Sequence, residues 1–322
     1  MLKSIVFLCI SIVTVASSLA PRPPPKQKVI VTGAAGRTGN LVFSSLLKHN
    51  DFYPVGIVRT EKSAKKLIKK AGCNLESICI CDVTALDPND KIGGLEDSEA
   101  MIICTSAVPK LNKKSLLKAF LKVPINLIKG NKAFNFRELQ FYYNQGQNPE
   151  KVDYYGQIAQ IDLAKKIGVK HVVLVSSMGG TNPNDFLNTL GRDKDGNGGD
   201  ILKWKRKAEK YLINSGLQYT IIHPGGLKDA PGGELDFRLD VNDNIQKSSG
   251  GMRSITRCDV AKLCVAALTA CNGQSTSFDC VNAEVPEGGK PRTAEMALKD
   301  FLQSDKVYSY EERTGFSDGG GI

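Results

Sequence analysis

Short apolar runs alternate with amphipathic stretches along most of this chain, from about residue 28 onward. The runs are four to six residues long and rich in valine and isoleucine, as expected for strands buried on both faces of a parallel sheet. They occupy Val29–Thr32, Tyr53–Val58, Ser77–Cys81, Ala100–Cys104, His171–Val175 and Tyr219–His223. Apolar residues at helical spacing predict helices over Asp153–Ile167 and Leu202–Ser215. This order predicts a doubly wound α/β fold built on parallel strands.

A glycine-rich turn joins the first apolar run to the first helix. It reads Val-Ile-Val-Thr-Gly-Ala-Ala-Gly-Arg-Thr-Gly over residues 29–39, and apolar residues at helical spacing follow. Gly33 allows the tight turn, Gly36 lets backbone approach a pyrophosphate, and Gly39 lets the helix pack on the strand. The spacing is GxxGxxG rather than GxGxxG, and a plain glycine-rich turn is the alternative. The pattern predicts a dinucleotide site that includes Gly33, Ala35, Gly36, Arg37, Thr38 and Gly39.

The residue that ends the second strand indicates which dinucleotide would bind. NAD-binding domains place a carboxylate there, on the ribose hydroxyls, whereas this chain has Arg59. A guanidinium pairs with a 2′-phosphate through two hydrogen bonds, and Arg37 lies close enough in sequence to approach the same group. The two arginines predict NADP(H) rather than NAD. In the alternative interpretation, Arg59 only extends into solvent.

Polar and small residues follow the third and fourth strands. Asp82 and Val83 come after the third strand, where a carboxylate can accept a hydrogen bond from the adenine amino group. A turn or helix-capping aspartate is the alternative for Asp82. Thr105 and Ser106 end the fourth strand, where small side chains let backbone pass beneath the nicotinamide.

Residues 28–322 are predicted to form a single domain with two irregular parts. The segment 108–150 is an insertion beside the expected cofactor site, either a partly helical lid or a surface excursion with its own apolar cluster that includes Phe134 and Phe136. Residues from about 224 to 322 mix loop and helix and are predicted to form a small substrate lobe over the sheet. A loop at 193–204 resembles a calcium-binding loop, but Trp204 occupies the position that requires glutamate, so no metal site is predicted.

The composition of the chain limits the classes of molecule that it is expected to bind. The chain has 322 residues, 41% of them hydrophobic, and a formal net charge of +10. That charge favours anionic small molecules, and the lack of an RNP-type aromatic motif or zinc-finger spacing disfavours nucleic acid as a partner. Nine cysteines occur without a CxxC pair, mostly at core-like positions, which indicates reduced thiols. A monomer or a homodimer is expected.

The first residues have the features of a targeting segment. Residues 1–20 combine Lys3, an apolar run and small residues, and a proline-rich spacer follows at 21–27. The run is short for a membrane span, and no other apolar segment of the sequence is long enough to cross a bilayer. An uncut signal anchor is the alternative. The residues before and including Pro21 resemble the cleavage site of plastid preproteins in diatom-like algae, so a plastid is favoured and the ER lumen or secretion is the alternative.

Several motifs in order along residues 28–300 resemble one protein family. They are the glycine-rich turn, Gly-Ile-Val-Arg at 56–59, Cys-Asp-Val-Thr at 81–84, Thr-Ser-Ala-Val-Pro at 105–109, Val-Ser-Ser-Met-Gly-Gly-Thr-Asn-Pro at 175–183, Trp-Lys-Arg-Lys-Ala-Glu at 204–209 and Tyr-Thr-Ile-Ile-His-Pro-Gly-Gly-Leu at 219–227. Together they resemble atypical short-chain dehydrogenase/reductases of the NmrA-like and biliverdin-reductase-B-like group, especially a plant chloroplast subgroup. The resemblance implies a Rossmann fold that holds NADP through the residues named above, and a reductase acting on a small apolar carbonyl, enone or quinone.

The catalytic residues depart from that family's pattern. The main short-chain family uses serine, tyrosine and lysine, with the tyrosine four residues before the lysine. Ser176 or Ser177 matches the serine and Lys205 the lysine, but Ile201 stands at the tyrosine position. A reductase would use Ser177 to orient the acceptor oxygen and Lys205 to hold the ribose. The missing tyrosine supports the alternative of a non-catalytic NADP-binding redox sensor or assembly scaffold. For Lys205, a surface position at the start of a basic helix remains open.

Overall fold

The computed structural model describes residues 26–86, 92–128, 139–193, 196 and 198–311. Over these residues the strands are β1 (Gln27–Thr32), β2 (Phe52–Val58), β3 (Ile78–Ile80), β4 (Ala100–Ile103), β5 (Lys110–Leu111), β6 (Phe141–Tyr142), β7 (His171–Val175), β8 (Gln218–Pro224), β9 (Gly226–Lys228), β10 (Asp236–Asp240), β11 (Ser254–Thr256) and β12 (Thr276–Ala283). The helices are α1 (Arg37–Lys48), α2 (Glu61–Ala71), α3 (Lys113–Ile128), α4 (Gly156–Lys166), α5 (Ile201–Ile213), α6 (Asn244–Lys247), α7 (Arg257–Ala270) and α8 (Ala294–Leu302).

One eight-stranded sheet organises the fold. Its strand order is β10-β12-β8-β7-β4-β1-β2-β3, and every neighbouring pair is parallel except β10 with β12. The chain runs outward from β1 in one direction and then returns through β4 in the other. Such a reversal opens a crevice at the carboxyl ends of the two central strands. The predicted doubly wound, Rossmann-type sheet is confirmed.

Both faces of the sheet are covered, which is why the central strands are apolar throughout. Val29 and Val31 pack on the side of α1, α7 and α8, whereas Ile30 between them packs on the side of α4 and α5. Successive side chains of a strand point to opposite faces, so a sheet buried on both sides needs the unbroken apolar run seen in the sequence.

Most predicted elements occur within a few residues of their expected bounds, with two corrections. The spacer predicted at 21–27 ends earlier, because Gln27 already pairs with Phe52 in the sheet. The helix predicted from Asp153 starts as a wider π-type turn, Glu150–Tyr155, that runs directly into α4. π-type turns often occur at functional sites.

The C-terminal third belongs to the sheet more closely than its sequence indicated. Loop and helix were expected beyond residue 224, but β12 extends the sheet beside β8 and β10 closes its edge. Polar residues interrupt these strands, as in Asp-Phe-Arg-Leu-Asp at 236–240, so their apolar pattern is weak. The short pair β9 and β11 lies outside the main sheet.

The insertion 108–150 contains α3 and a small antiparallel pair of strands, β5 and β6. The predicted aromatic residues Phe134 and Phe136 lie outside the described residues, as do the predicted targeting segment 1–20 and two of the loop positions compared with a calcium site, Asp195 and Asn197. None of the eight cysteines within the described ranges forms a disulfide. Among the described residues, no helix combines the length and apolar character needed to cross a bilayer.

The last described residues return to cover the sheet beyond α5. The Tyr308 ring stacks on His223 with 4.4 Å between ring centroids, and the Tyr310 hydroxyl donates to Ser277 Oγ over 3.0 Å. The Arg206 guanidinium of α5 lies 3.9 Å from the Tyr310 ring centroid. We call residues 303–311 the C-terminal tail.

Candidate functional site

A cavity of about 540 Å³ lies at the carboxyl ends of β1, β2 and β4, where the strand order reverses. Ten of the predicted cofactor residues contribute to its lining, namely Gly33, Ala35, Gly36, Arg37, Thr38, Arg59, Asp82, Val83, Thr105 and Ser106. Gly39, Ser177 and Lys205 are not among the lining residues. The cavity therefore brings together predicted residues that are up to 73 positions apart in the sequence, from Gly33 to Ser106.

Backbone crowding explains the glycines of the turn. Gly33 has a φ of +64°, which glycine adopts without strain. A Cβ at Gly36 would lie 2.9 Å from the Gly33 carbonyl oxygen, and one at Gly39 only 2.3 Å from it. The Gly36 N–H donates to that same oxygen over 2.8 Å. The turn is thus compact because three positions lack side chains, and it leaves the first N–H groups of α1 facing the cavity.

Three arginines meet at this cavity. Arg37 and Arg257 both pair with Asp229, at 3.2 Å and 2.8 Å, so one carboxylate bridges two guanidinium groups. The Arg59 guanidinium hydrogen-bonds the Gln147 side chain on the far side. Arg257 opens α7 and is largely buried, whereas Arg37 is mostly exposed. The three guanidinium groups outnumber the two nearby carboxylates, those of Asp229 and Asp82, so the arrangement favours an anionic ligand.

Fixed polar contacts hold the rest of the lining. Asp82 Oδ1 accepts hydrogen bonds from the Thr84 N–H and hydroxyl, at 3.0 and 2.8 Å, so this residue forms the turn considered as an alternative while it also lines the cavity. The Gln157 amide donates to the Thr105 carbonyl over 3.2 Å, and the Gln160 amide donates to the Thr105 hydroxyl over 3.1 Å. Both glutamines come from α4, which therefore positions the end of β4.

Lys205 is buried behind the cavity wall rather than exposed at a helix start. Its Nζ lies 2.8 Å from Asp153 Oδ1, and the two side chains are 6% and 0% exposed. Asp153 Oδ2 accepts the Ala107 N–H over 3.0 Å, and Ala107 lines the cavity. The ion pair thus supports the backbone next to Ser106.

The Cys104 thiol lies close to this ion pair. Burial raises the pKa of Cys104 to about 12, although the positive charge of Lys205 acts in the opposite direction, so the thiol stays protonated at neutral pH.

The predicted serine position divides into two different environments. Ser177 Oγ donates to the Met178 carbonyl over 3.1 Å, away from the cavity lining. Ser176 Oγ hydrogen-bonds Glu209, which also lies 3.1 Å from His223 Nε2. Of the two serines that the sequence offered, only Ser176 takes part in a buried acid–base network.

That network continues through Asp279 to Asp243, the residue just before α6. His223 Nδ1 lies 3.7 Å from Asp279 Oδ1, and Asp279 Oδ2 accepts the Asp243 N–H over 2.7 Å. Burial raises the pKa of Asp279 to about 7. Burial opposes the charge of His223, but Glu209 and Asp279 outweigh it and raise the pKa of His223. The C-terminal tail seals this cluster from water.

The lining fits a phosphorylated dinucleotide on two grounds. The glycines keep the turn compact, since a Cβ at Gly36 or Gly39 would press on the Gly33 carbonyl oxygen, and this turn aims the first N–H groups of α1 at a cavity whose volume is in the range of small-molecule sites. The guanidinium groups of Arg37, Arg59 and Arg257 supply positive charge around the same space. Within the described residues, no group of three or more histidine, cysteine or acidic side chains is arranged to hold a metal ion.

Sequence reasoning missed the residues that support this site from elsewhere in the chain. Asp153, Arg257 and Asp229 each lie far from the glycine-rich turn in sequence, and each is a single charged residue without a motif around it. Asp153 gives one signal in the sequence, because it is an acidic residue in a segment with an apolar helical pattern. If that carboxylate is buried, it requires a cationic or hydrogen-bonding partner elsewhere in the chain.

Comparisons with known proteins agree with this geometry. A family profile described as NAD(P)H-binding matches residues 33–270. Sanguinarine reductase of Eschscholzia californica is 39% identical over 284 residues, which cover 86% of this chain and 94% of that protein. An uncharacterised chloroplastic protein of Arabidopsis thaliana is 37% identical over 291 residues, 90% of this chain and 77% of that one. The solved structure of a proposed NAD-dependent epimerase/dehydratase from Bacillus halodurans superposes with a TM-score of 0.58 at 20% identity, covering 85% of this chain and 99% of the other.

Proposed function

This chain belongs to the NAD(P)H-binding family, and from that premise we propose that it is an NADPH-dependent reductase of a small apolar carbonyl, enone or quinone. The observation that carries the proposal is the set of guanidinium groups around the glycine-rich turn, with Arg59 where NAD-binding domains place a carboxylate. Similarity to sanguinarine reductase supports a reductive reaction. The domain is proposed to extend over residues 28–322.

The residues of this chain would bind and orient the reactants. The first N–H groups of α1 would meet the pyrophosphate, and Arg37 and Arg59 the 2′-phosphate. Asp82 and Val83 would contact the adenine, and Thr105 and Ser106 would face the nicotinamide side. When bound, NADPH supplies the hydride that the acceptor takes up. The Lys205–Asp153 pair would hold the backbone at Ala107 in register, and water at the open cavity would supply the proton.

Turnover is the direct test of this function. We expect purified protein with NADPH and a panel of quinones, enones, aldehydes and sanguinarine to lose nicotinamide absorbance with at least one acceptor. A control without acceptor measures spontaneous oxidation. Tight NADPH binding without oxidation by any acceptor would favour the alternative function, a redox sensor or assembly scaffold, which Ile201 at the usual tyrosine position supports.

Cofactor preference gives a second prediction. Replacing Arg59 with aspartate should weaken NADPH binding by about 2 kcal/mol, roughly 30-fold, and leave NADH binding nearly unchanged, because a charge-assisted contact to the 2′-phosphate becomes repulsive. Calorimetric titration with both cofactors measures the two affinities. Lys66→Asp, the same charge change on an exposed face of α2, is the matched control. Equal weakening of both cofactors would exclude the assigned contact.

We also propose a plastid location for this protein. The relative from Arabidopsis is named as chloroplastic, and the first residues of this chain have the composition of a targeting segment. A fluorescent fusion of the full chain, compared with one that lacks residues 1–20, distinguishes the plastid from the ER lumen or secretion.

A further inference from the structure

Helix α3 has an inverted distribution of apolar residues. Among the described side chains of the helix, the two that are buried are both small, with Ser115 and Ala119 7% and 6% exposed. Leu117, Leu121, Leu127 and Ile128 are instead 62%, 67%, 60% and 87% exposed. We call these four residues the α3 stripe. A helix on a protein surface normally buries its leucines, and a contiguous exposed apolar patch usually marks a place where something else binds.

The charge of the same helix indicates what binds there. Its sequence, Lys-Lys-Ser-Leu-Leu-Lys-Ala-Phe-Leu-Lys-Val-Pro-Ile-Asn-Leu-Ile, contains four lysines and no acidic residue. Lys114 and Lys118 are four residues apart, so they form one row beside the α3 stripe. An apolar face bordered by lysines is the pattern of a helix that lies in the interface of an anionic membrane.

Helix α2 shows that basic charge alone does not create this feature. It carries five lysines, but its apolar side chains pack inward, and Ala64 and Leu67 are buried. Its outer face is therefore an ordinary solvated surface. The combination of exposed leucines and lysines is particular to α3 among these two basic helices.

We propose that the α3 stripe docks this protein on an anionic lipid surface, with α3 lying in the membrane plane. The helix has 16 residues, about 24 Å of length, which is less than the roughly 20 residues that a spanning helix needs. The α3 stripe enters the boundary of the acyl chains, and the lysine row meets lipid phosphates. This interaction is independent of the reaction at the cofactor cavity, because the insertion contributes residues 108–110, Asn144 and Gln147 to the cavity lining, whereas α3 contributes none.

A second copy of the chain fits the same face less well. A two-fold dimer places the same surface against itself, so the lysine rows would meet without a carboxylate on either helix to balance them. Like charges brought together at an interface oppose association. A negatively charged bilayer instead turns every lysine of the row into a favourable contact.

Single-tryptophan reporters test the docking in the full chain. Trp204 is the only native tryptophan, and Trp204→Phe keeps its ring packing against Tyr154. In that background, Leu117→Trp should shift to shorter emission wavelengths and be quenched about twofold by vesicles of phosphatidylglycerol with brominated acyl chains. Leu75→Trp is the matched control, because Leu75 is also 62% exposed but lies away from α3. The N-terminal apolar segment contains no tryptophan, so any contribution from it is the same for both reporters.

Charge reversal completes the test. Lys114→Glu with Lys118→Glu should weaken vesicle binding of the Leu117→Trp reporter by at least roughly 30-fold, since each lysine near an anionic surface contributes about fivefold. Lys65→Glu with Lys66→Glu on α2 should change it little. Unquenched Leu117→Trp on these vesicles would overturn the proposal, as would a concentration-dependent dimer in sedimentation that Leu117→Glu disrupts.

Discussion

Replacing Lys205 with methionine is expected to lower the free energy of unfolding by about 3–5 kcal/mol, because it leaves the fully buried Asp153 carboxylate without its counter-ion. The lost Coulomb attraction between the two charges is not the main reason, since the free-energy cost of removing both ions from water offsets most of that attraction. The loss arises because Asp153 must either stay charged in the core or take up a proton. Urea denaturation followed by circular dichroism measures the change.

Two further variants separate this cost from a general effect of the mutation. Lys205→Met with Asp153→Asn should recover most of the stability, since the pair becomes neutral and the asparagine carbonyl still accepts the Ala107 N–H. Lys207→Met, on the same helix but at a partly exposed site beside Trp204, should cost less than about 1 kcal/mol. A single Lys205→Met variant as stable as the parent would show that the ion pair contributes nothing. Turnover of the double variant then reports any direct role of Lys205 in the reaction.

Replacing Gly39 with valine is expected to weaken NADPH binding by at least about 1000-fold. A Cβ at this position would lie 2.3 Å from the Gly33 carbonyl oxygen and 2.8 Å from its carbon. These are backbone atoms of the turn itself, so the turn must change shape to admit the side chain. Several N–H contacts to phosphate, each contributing roughly 1.5–3 kcal/mol, would then be lost together. Calorimetric titration gives the affinity.

Gly93 provides the control for this variant. A Cβ there meets no atom within 4 Å and the backbone does not require a positive φ, so Gly93→Val should bind NADPH as the parent does. The secondary structure of Gly39→Val, followed by circular dichroism, should remain close to that of the parent because the clash is confined to one turn. Retained affinity in Gly39→Val would contradict the assignment of the turn to phosphate binding.

The sequence predicts the centre of this fold well because the central strands satisfy one strong physical condition. A strand covered on both faces must be apolar at every position, and Val172, Val173 and Leu174 show this directly. A strand at the edge of the sheet need not be apolar at every position. β10 carries Asp236, Arg238 and Asp240, each partly accessible or paired, and so its residues read as loop.

The residues of the site also differ in how well the sequence predicts them. Its glycines and Arg59 are predictable because they occur in a short motif whose spacing has a geometric meaning. Asp229 is not, since its contact with Arg37 spans 192 residues and depends on how the C-terminal third folds over the turn. The buried partner of Lys205 is hidden for a related reason, because a π-type turn, rather than a regular helix, sets the direction of Asp153.

The C-terminal tail ties two neighbouring strands together through side chains alone. Tyr308 stacks on His223 of β8, and the Tyr310 hydroxyl donates to Ser277 of β12. The lining of the cavity includes no residue of the tail. Cutting the chain before Tyr308 should therefore hydrate the charged interior beneath it and leave the dinucleotide cradle intact, so that proteolysis at this point would uncouple resistance to unfolding from cofactor affinity.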